Sequence, residues 1–204
     1  MTEKEIELSM DKALKKLPFE IKKIKFVLAV IKFFKRKYSM DMIKLISVNN
    51  DELKNEALNV YLKNDYYFSK ISDNPPSISN VEEDIEVIPN GVQKNQKNYR
   101  LISFNNEILG VVDYLTDYPE KDTILIGFFI IKNDKQKQGL GTKIFRHLEK
   151  SFKNKKFLKI RIGVLVDNEI GLSFWKKQNF KEIERKFLKF EKSKKEVIVM
   201  EKEI

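Results

Sequence analysis

The stretch Ile124-Leu125-Ile126-Gly127-Phe128-Phe129-Ile130-Ile131-Lys132-Asn133-Asp134-Lys135-Gln136-Lys137-Gln138-Gly139-Leu140-Gly141-Thr142 decides the fold. Its first eight residues form a near-continuous apolar run, which predicts a central strand covered on both faces. A polar stretch follows, Lys132 to Gln138, and Gly139-Leu140-Gly141 then opens a helix. Leu140, Ile144, Leu148 and Phe152 mark one helix face, and Lys143, His147 and Lys150 the other, so His147 reads as solvated. The first turn of a helix carries unpaired N–H groups and the positive end of the dipole, and glycines let an anion approach the backbone. Gln136-x-x-Gly139-x-Gly141 therefore predicts a pyrophosphate cradle, with Lys137 and Thr142 adding side-chain contacts. A Walker A loop is excluded, because Thr142 rather than Lys follows Gly141. A Rossmann turn is excluded because Ile144 stands where a third small residue belongs, and no acidic residue sits about 20 positions on at a strand end.

Outward from this unit the chain alternates strand and helix. Upstream, Ile43 to Val48 predicts a strand and Asp51 to Lys63 a helix. Asn64 to Gln96, with Asn-Pro-Pro at 74 to 76 and Asn-Gly at 90 to 91, reads as irregular. Arg100 to Phe104 and Ile108 to Leu115 predict a hairpin across Asn105-Asn106. Downstream, Ile160, Ile162, Val164 and Val166 alternate as a strand, Glu169 to Gln178 reads as a short helix, and Phe180 to Phe190 with Glu196 to Met200 as a closing hairpin.

The 204 residues divide into a basic amphipathic helical extension over 1–40 and one domain over 41–204, with no Pro/Gly/Ser-rich spacer between modules. With 42% hydrophobic and 34% charged residues, the composition is that of a globular protein. No apolar run is long enough to span a bilayer. Acidic Glu3, Glu5 and Glu7 stand where a secretory leader would be basic, which with the absence of cysteine predicts a cytoplasmic protein. That absence also removes a thiol nucleophile and a zinc–thiolate site. Of the net charge of +10, residues 1–40 supply +6 through eleven Lys/Arg against five Asp/Glu, so the domain itself is nearly balanced. In the extension Ile24, Val27, Leu28, Ile31 and Phe34 recur at helical spacing between lysines. The favoured reading is a helix packed on its own domain or on a second subunit in a homodimer; nucleic acid or an anionic membrane is the lesser reading.

The unit at 131–142, taken with Asn168-x-x-Gly171-x-x-Phe174-Trp175-Lys176-Lys177-x-Asn179-Phe180, resembles the two signature segments of GNAT acetyltransferases in order and spacing. The run Val112-Asp113-Tyr114 through Asp117-Tyr118-Pro119 to Ile126-Gly127 also resembles a bacterial subgroup of that family. The resemblance covers roughly residues 42–204. It implies an α/β fold: a mixed, mostly antiparallel sheet flanked by helices, its fourth and fifth strands splayed to admit pantetheine. It implies acetyl-coenzyme A as co-substrate and no metal. The backbone of Phe129, Ile130 and Ile131 would meet the pantetheine, and the amides of Gln138, Gly139, Leu140, Gly141 and Thr142 the pyrophosphate. Asn168, Phe174 and Trp175 would border the same ligand. The expected reaction is acetyl transfer to a primary amine of a small molecule by direct attack; the alternatives are a protein N-terminal or lysine acetyltransferase and a non-catalytic acyl-coenzyme A binding module.

Direct attack needs a positioned amine that loses a proton and a thiolate that is stabilised or protonated. Many relatives carry a Tyr for the second task where this chain has Trp175, whose indole donates a hydrogen bond but no proton. Tyr67, Tyr114 and Tyr118 are the replacements, with Tyr118 preferred for its place before the cofactor strand. Asp113 and Asp117 are the candidate bases, beside a water chain, and both residues are equally suited to capping turns. Tyr66, Tyr67 and Phe68, with the acidic run Glu82 to Glu86, are the candidate acceptor wall.

Overall fold

A computed structural model describes residues 43–190 and 193–204, together with Leu28. Leu28 apart, the extension expected over 1–40 lies outside the described residues. Seven strands, β1 (Ile43–Ser47), β2 (Lys97–Phe104), β3 (Glu107–Thr116), β4 (Thr123–Ile131), β5 (Lys159–Leu165), β6 (Lys181–Lys189) and β7 (Lys194–Glu203), form one sheet in the order β1-β2-β3-β4-β5-β7-β6. The pairs are antiparallel except β4–β5, which is parallel. The apolar run is thus the fourth of seven strands, as its sequence predicts.

Among the described residues of 43–204, five helices cover the two faces: α1 (Asp51–Leu62), α2 (Asp65–Ile71), α3 (Ile78–Glu86), α4 (Leu140–Asn154) and α5 (Glu169–Lys177). Helix α4 buries Ile144, Phe145, Leu148 and Phe152 against one face, formed by Val112, Ile124, Ile126, Ile160 and Ile162, and Trp175 of α5 joins that cluster. On the other face Ala57, Val60 and Tyr61 of α1, Phe68 of α2 and Val81 of α3 pack on Tyr99, Leu101, Val111 and Ile130. The stretch 64–96, expected to be irregular, is largely helical. Helices α2 and α3 are short, seven and nine residues, and each buries a single side chain, Phe68 and Val81. An apolar stripe one residue deep leaves little period to read. Helix α3 instead begins on a reciprocal cap: the Ser77 amide donates to Asn80 Oδ1 at 2.8 Å.

Two irregularities in β4 open the sheet. Its parallel ladder with β5 runs only from Thr123–Lys159 to Ile126–Ile162. One residue later Gly127 has no partner on β3, where Asp113 opposes Phe128 and Tyr114 opposes Ile126. This extra residue is a β-bulge, which bends and twists its strand. From Gly127 to Ile131, β4 keeps β3 and leaves β5, giving the expected splay. The approach to β3 is close enough that a Cβ on Gly110 would lie 2.2 Å from the Ile130 carbonyl oxygen. Among the described residues no helix is long and apolar enough to cross a membrane, and no group of three or more metal-ligating side chains gathers.

Candidate functional site

The splay and the turn after β4 form one continuous surface. Backbone groups of successive strand residues point to opposite sides. The Lys132 amide donates to the Leu109 carbonyl on β3 at 2.8 Å, so Ile130 also turns its backbone toward β3 while Phe129 and Ile131 face the splay. The backbone edge that faces the splay is therefore that of Phe129 and Ile131, with Ile130 engaged in the sheet and in the core beyond it.

The turn continues through a 3₁₀ segment, Asn133–Lys135, and reaches Gly139 at φ +76°, in the left-handed region. Helix α4 starts there with no side-chain cap. Among the described residues none accepts a hydrogen bond from the backbone N–H groups of 137–142; the first such bond is from Lys143 to Gly139 at 3.1 Å. A Cβ on Gly139 would meet nothing within 4 Å, so these donors open onto clear space. Unpaired amides at the positive end of a 15-residue helix make an anion cradle, and Lys137 stands exposed beside it. The residues present fit the pyrophosphate of coenzyme A.

Side chains around the turn behave differently from expectation. Gln136 points inward: its Nε2 donates to the Ile131 carbonyl at 2.7 Å and to Asn64 Oδ1 at 3.0 Å. Asn64 is buried and donates to the Val60 carbonyl at 2.7 Å, so Gln136 ties the turn to the end of α1. Thr142 Oγ1 accepts from Gln178 Nε2 at 3.2 Å, and Gln138 Nε2 donates to the Asp134 carbonyl at 3.0 Å. These three side chains are engaged in shaping the turn, so the polar groups it leaves open are backbone amides. Leu140 is half-buried and packs on the core. Asn168 caps α5, its Oδ1 accepting from the Gly171 amide at 3.0 Å.

The wall of the splay on the α4 side is aromatic. Phe129 stacks on Phe174 with centroids 5.9 Å apart, and Trp175 meets Phe129, Phe145, Phe174 and Phe180 at 4.9 to 5.7 Å. Trp175 is buried at the centre of this cluster.

On the opposite face a polar network lies beneath α1 and α3. Asp113 rests against the bulge, its Oδ2 3.3 Å from where a Gly127 Cβ would stand. Lys97 Nζ lies 2.7 Å from that same oxygen, while Asp113 Oδ1 is buried without a partner. Burial pushes the Asp113 carboxyl up to about 6, against the opposing pull of the Lys97 ammonium. Nearby, the Tyr61 hydroxyl donates to Asp84 Oδ2 at 2.6 Å and shares a 2.7 Å bond with the Tyr99 hydroxyl. Burial raises the Asp84 carboxyl as well. Tyr67 and Phe68 pack with Tyr61 and Phe128 at 4.8 to 6.2 Å, lining this side. Tyr66 turns out of the site, 41% exposed, with Lys70 over its ring. Asp117 and Tyr118 lie in the β3–β4 turn, where Asp117 Oδ1 accepts from the Asp122 amide at 2.9 Å. That turn is at the Thr123 end of β4, roughly 13 Å along the strand from the bulge. Of Tyr118, Asp113 and Asp117, only Asp113 lies against the bulge where the splay begins. Lys97, Asp84, Tyr61 and Tyr99 were not singled out from sequence; the cross-strand register and the packing of α3 assemble them.

Comparison with known proteins agrees with this architecture. An acetyltransferase from Thermus thermophilus superposes with a TM-score of 0.62 over 80% of this chain and 97% of its own, at 19% identity. RimL, a ribosomal L7/L12 alpha-N-protein acetyltransferase in complex with coenzyme A, gives 0.63 over 80% and 94% at 16% identity. The microcin C7 self-immunity acetyltransferase MccE, in complex with acetyl-CoA and AMP, gives 0.63 over 80% and 93% at 19% identity. No curated protein sequence matches the chain. The model of the Acetyltransferase (GNAT) family matches residues 60–180, more than half the chain and the whole of the splay and turn. With that match on the same residues that build the cradle, the chain belongs to the GNAT family and is an acetyl-CoA-dependent acetyltransferase.

Proposed function

We propose that this enzyme acetylates a primary amine of a small molecule by direct attack on the thioester, with Asp113 as the group that takes the amine's proton. The observation that carries the reading is the Asp113 carboxylate set against the Gly127 bulge with Oδ1 unpartnered. A carboxyl near 6 is ionised at neutral pH yet basic enough to share an ammonium proton. Phe128, packed on Tyr61 and Phe68, is the ladder partner of Asp113, and an apolar neighbour of this kind suits a small acceptor. The unpaired amides of 138–142 and the exposed Lys137 hold the pyrophosphate, and Phe129 and Ile131 orient the pantetheine arm. Phe174 and Trp175 wall the slot, and Asn168 supports it through α5.

Asp113 removes one proton from the ammonium and releases it to solvent. The neutral nitrogen attacks the carbonyl carbon, the C–N bond forms as the C–S bond breaks, and the amine's second proton passes to the departing sulfur. Asp117 and Tyr118 have no part in this scheme, and the protein acts in the cytoplasm where acetyl-CoA is made available.

The test is calorimetric titration with acetyl-CoA, followed by transfer assays on a panel of amines. Wild type is expected to bind and to acetylate a small amine, and Gly139→Asp to lose binding. Asp113→Asn is expected to bind normally and to lose transfer by about a hundredfold or more. Full transfer by Asp113→Asn would remove the proposed base, and acetylation of peptides alone would remove the small-molecule acceptor.

A further inference from the structure

The proton acceptor proposed above has two oxygens in unequal surroundings. Lys97 on β2 lies diagonally across from Asp113 on β3, since Tyr99 is Asp113's direct partner in the ladder. Its Nζ engages Oδ2 alone, at 2.7 Å. Both partners are desolvated, with side chains 8% and 14% exposed. A buried pair of this kind contributes little net stability compared with an apolar pair of equal volume, so stability alone gives no reason for it. It stands beside the one buried side-chain oxygen without a partner among the described residues.

We propose that Lys97 is a positioning residue of the transfer reaction: by holding Oδ2 of Asp113 it fixes the carboxylate against the Gly127 bulge, where β4 parts from β5. The inference rests on the reading of Asp113 as proton acceptor. Among the described residues the groups that face this carboxyl are few. From β2 they are Lys97 and Tyr99, from α3 Asp84, and from α1 Tyr61, which reaches Asp84 and Tyr99 by hydrogen bonds. From β4 there are only Gly127 and the apolar Phe128. Lys97 favours the ionised carboxylate and Asp84 opposes it. Removing the ammonium leaves burial and the second carboxylate unopposed, so Asp113 then holds its proton at neutral pH.

The experiment follows the Asp113 carboxyl carbon by NMR in full-length protein labelled with ¹³C-aspartate, from about pH 4 to 9, the signal being assigned by its loss in Asp113→Asn. Wild type is expected to titrate near 6. In Lys97→Met the proton affinity should rise about tenfold or more, and Lys97→Arg, which keeps the charge, should restore it. Acetyl-CoA affinity should be the same in all three proteins. With an amine taken from the panel, the acid limb of kcat/KM should move to higher pH in Lys97→Met and return in Lys97→Arg. An unchanged titration in Lys97→Met overturns the proposal. If that variant does not fold, Lys97→Gln carries the same test, with Lys97→Arg as its control. Failure of the underlying reading looks different: Asp113→Asn would keep transfer while the Lys97-dependent titration remained.

Discussion

The Asp113 carboxyl is raised from its ordinary 3.8 to about 6, so the folded protein holds the proton more tightly than the unfolded chain. The group therefore contributes stability that is complete below the unfolded value near 3.8 and is lost as pH rises through 6. Relative to Asp113→Asn, wild type should gain of order 2 kcal/mol in urea unfolding between about pH 7.5 and 4.5. The activity of wild type should fall over the same window, because the acceptor of the proton is then filled. Gly139 has a different logic. Its φ of +76° is tolerated by Asp better than by most residues, so Gly139→Asp should cost about 1 kcal/mol of stability. Its carboxylate enters open space where the pyrophosphate belongs, so acetyl-CoA affinity should fall by roughly a hundredfold or more in the same calorimetric assay. The turn at Gly139 that opens α4 was legible in the sequence because its cause is local. The partnership of Asp113 with Lys97 was not, because it joins residues 16 positions apart through the register of two strands. The direction of Gln136 was likewise illegible, since it depends on Asn64, 72 positions away.

At the scale of elements, the strands and the long helix were readable from their periods, while α2 and α3 were not, because each presents one buried residue. Two elements make sharp predictions. The β3–β4 contact leaves no room at Gly110, where an added Cβ would meet backbone at 2.2 Å and the Ile131 side chain at 2.8 Å. Gly110→Ala should destabilise by about 2 to 3 kcal/mol, read as a lowered urea midpoint, because a carbonyl in a sheet cannot step aside as a flexible side chain can. Helix α5 starts on Asn168, so Asn168→Ala should cost about 1 kcal/mol in the same measurement. A loss of acetyl-CoA affinity in that variant beyond the loss of stability would show that the capping residue also touches the ligand.

Across residues 43–204 the surface proposed to bind acetyl-CoA is assembled from β4, the turn after it and the starts of α4 and α5. Acetyl-CoA bound there favours the folded state alone, so at a free concentration about a hundred times its dissociation constant it should add about 2.7 kcal/mol to wild-type stability. A thermal melt of Gly139→Asp should show no such rise. The family was legible from two segments of sequence; the polar network beneath α1 and α3 was not, because α3 is a helix the sequence barely marks. The final hairpin carries a consequence of another kind. All nine residues of β6 are exposed on both faces, Phe187 and Ile183 among them, and the strand is held by its ladder to β7. No buried side chain of its own opposes its release, so its opening free energy sits at the low end for this fold. In deuterated solvent the β6 amides should exchange well before those of β4, and a protease that cuts after lysine should find 181–189 while the splay is still intact.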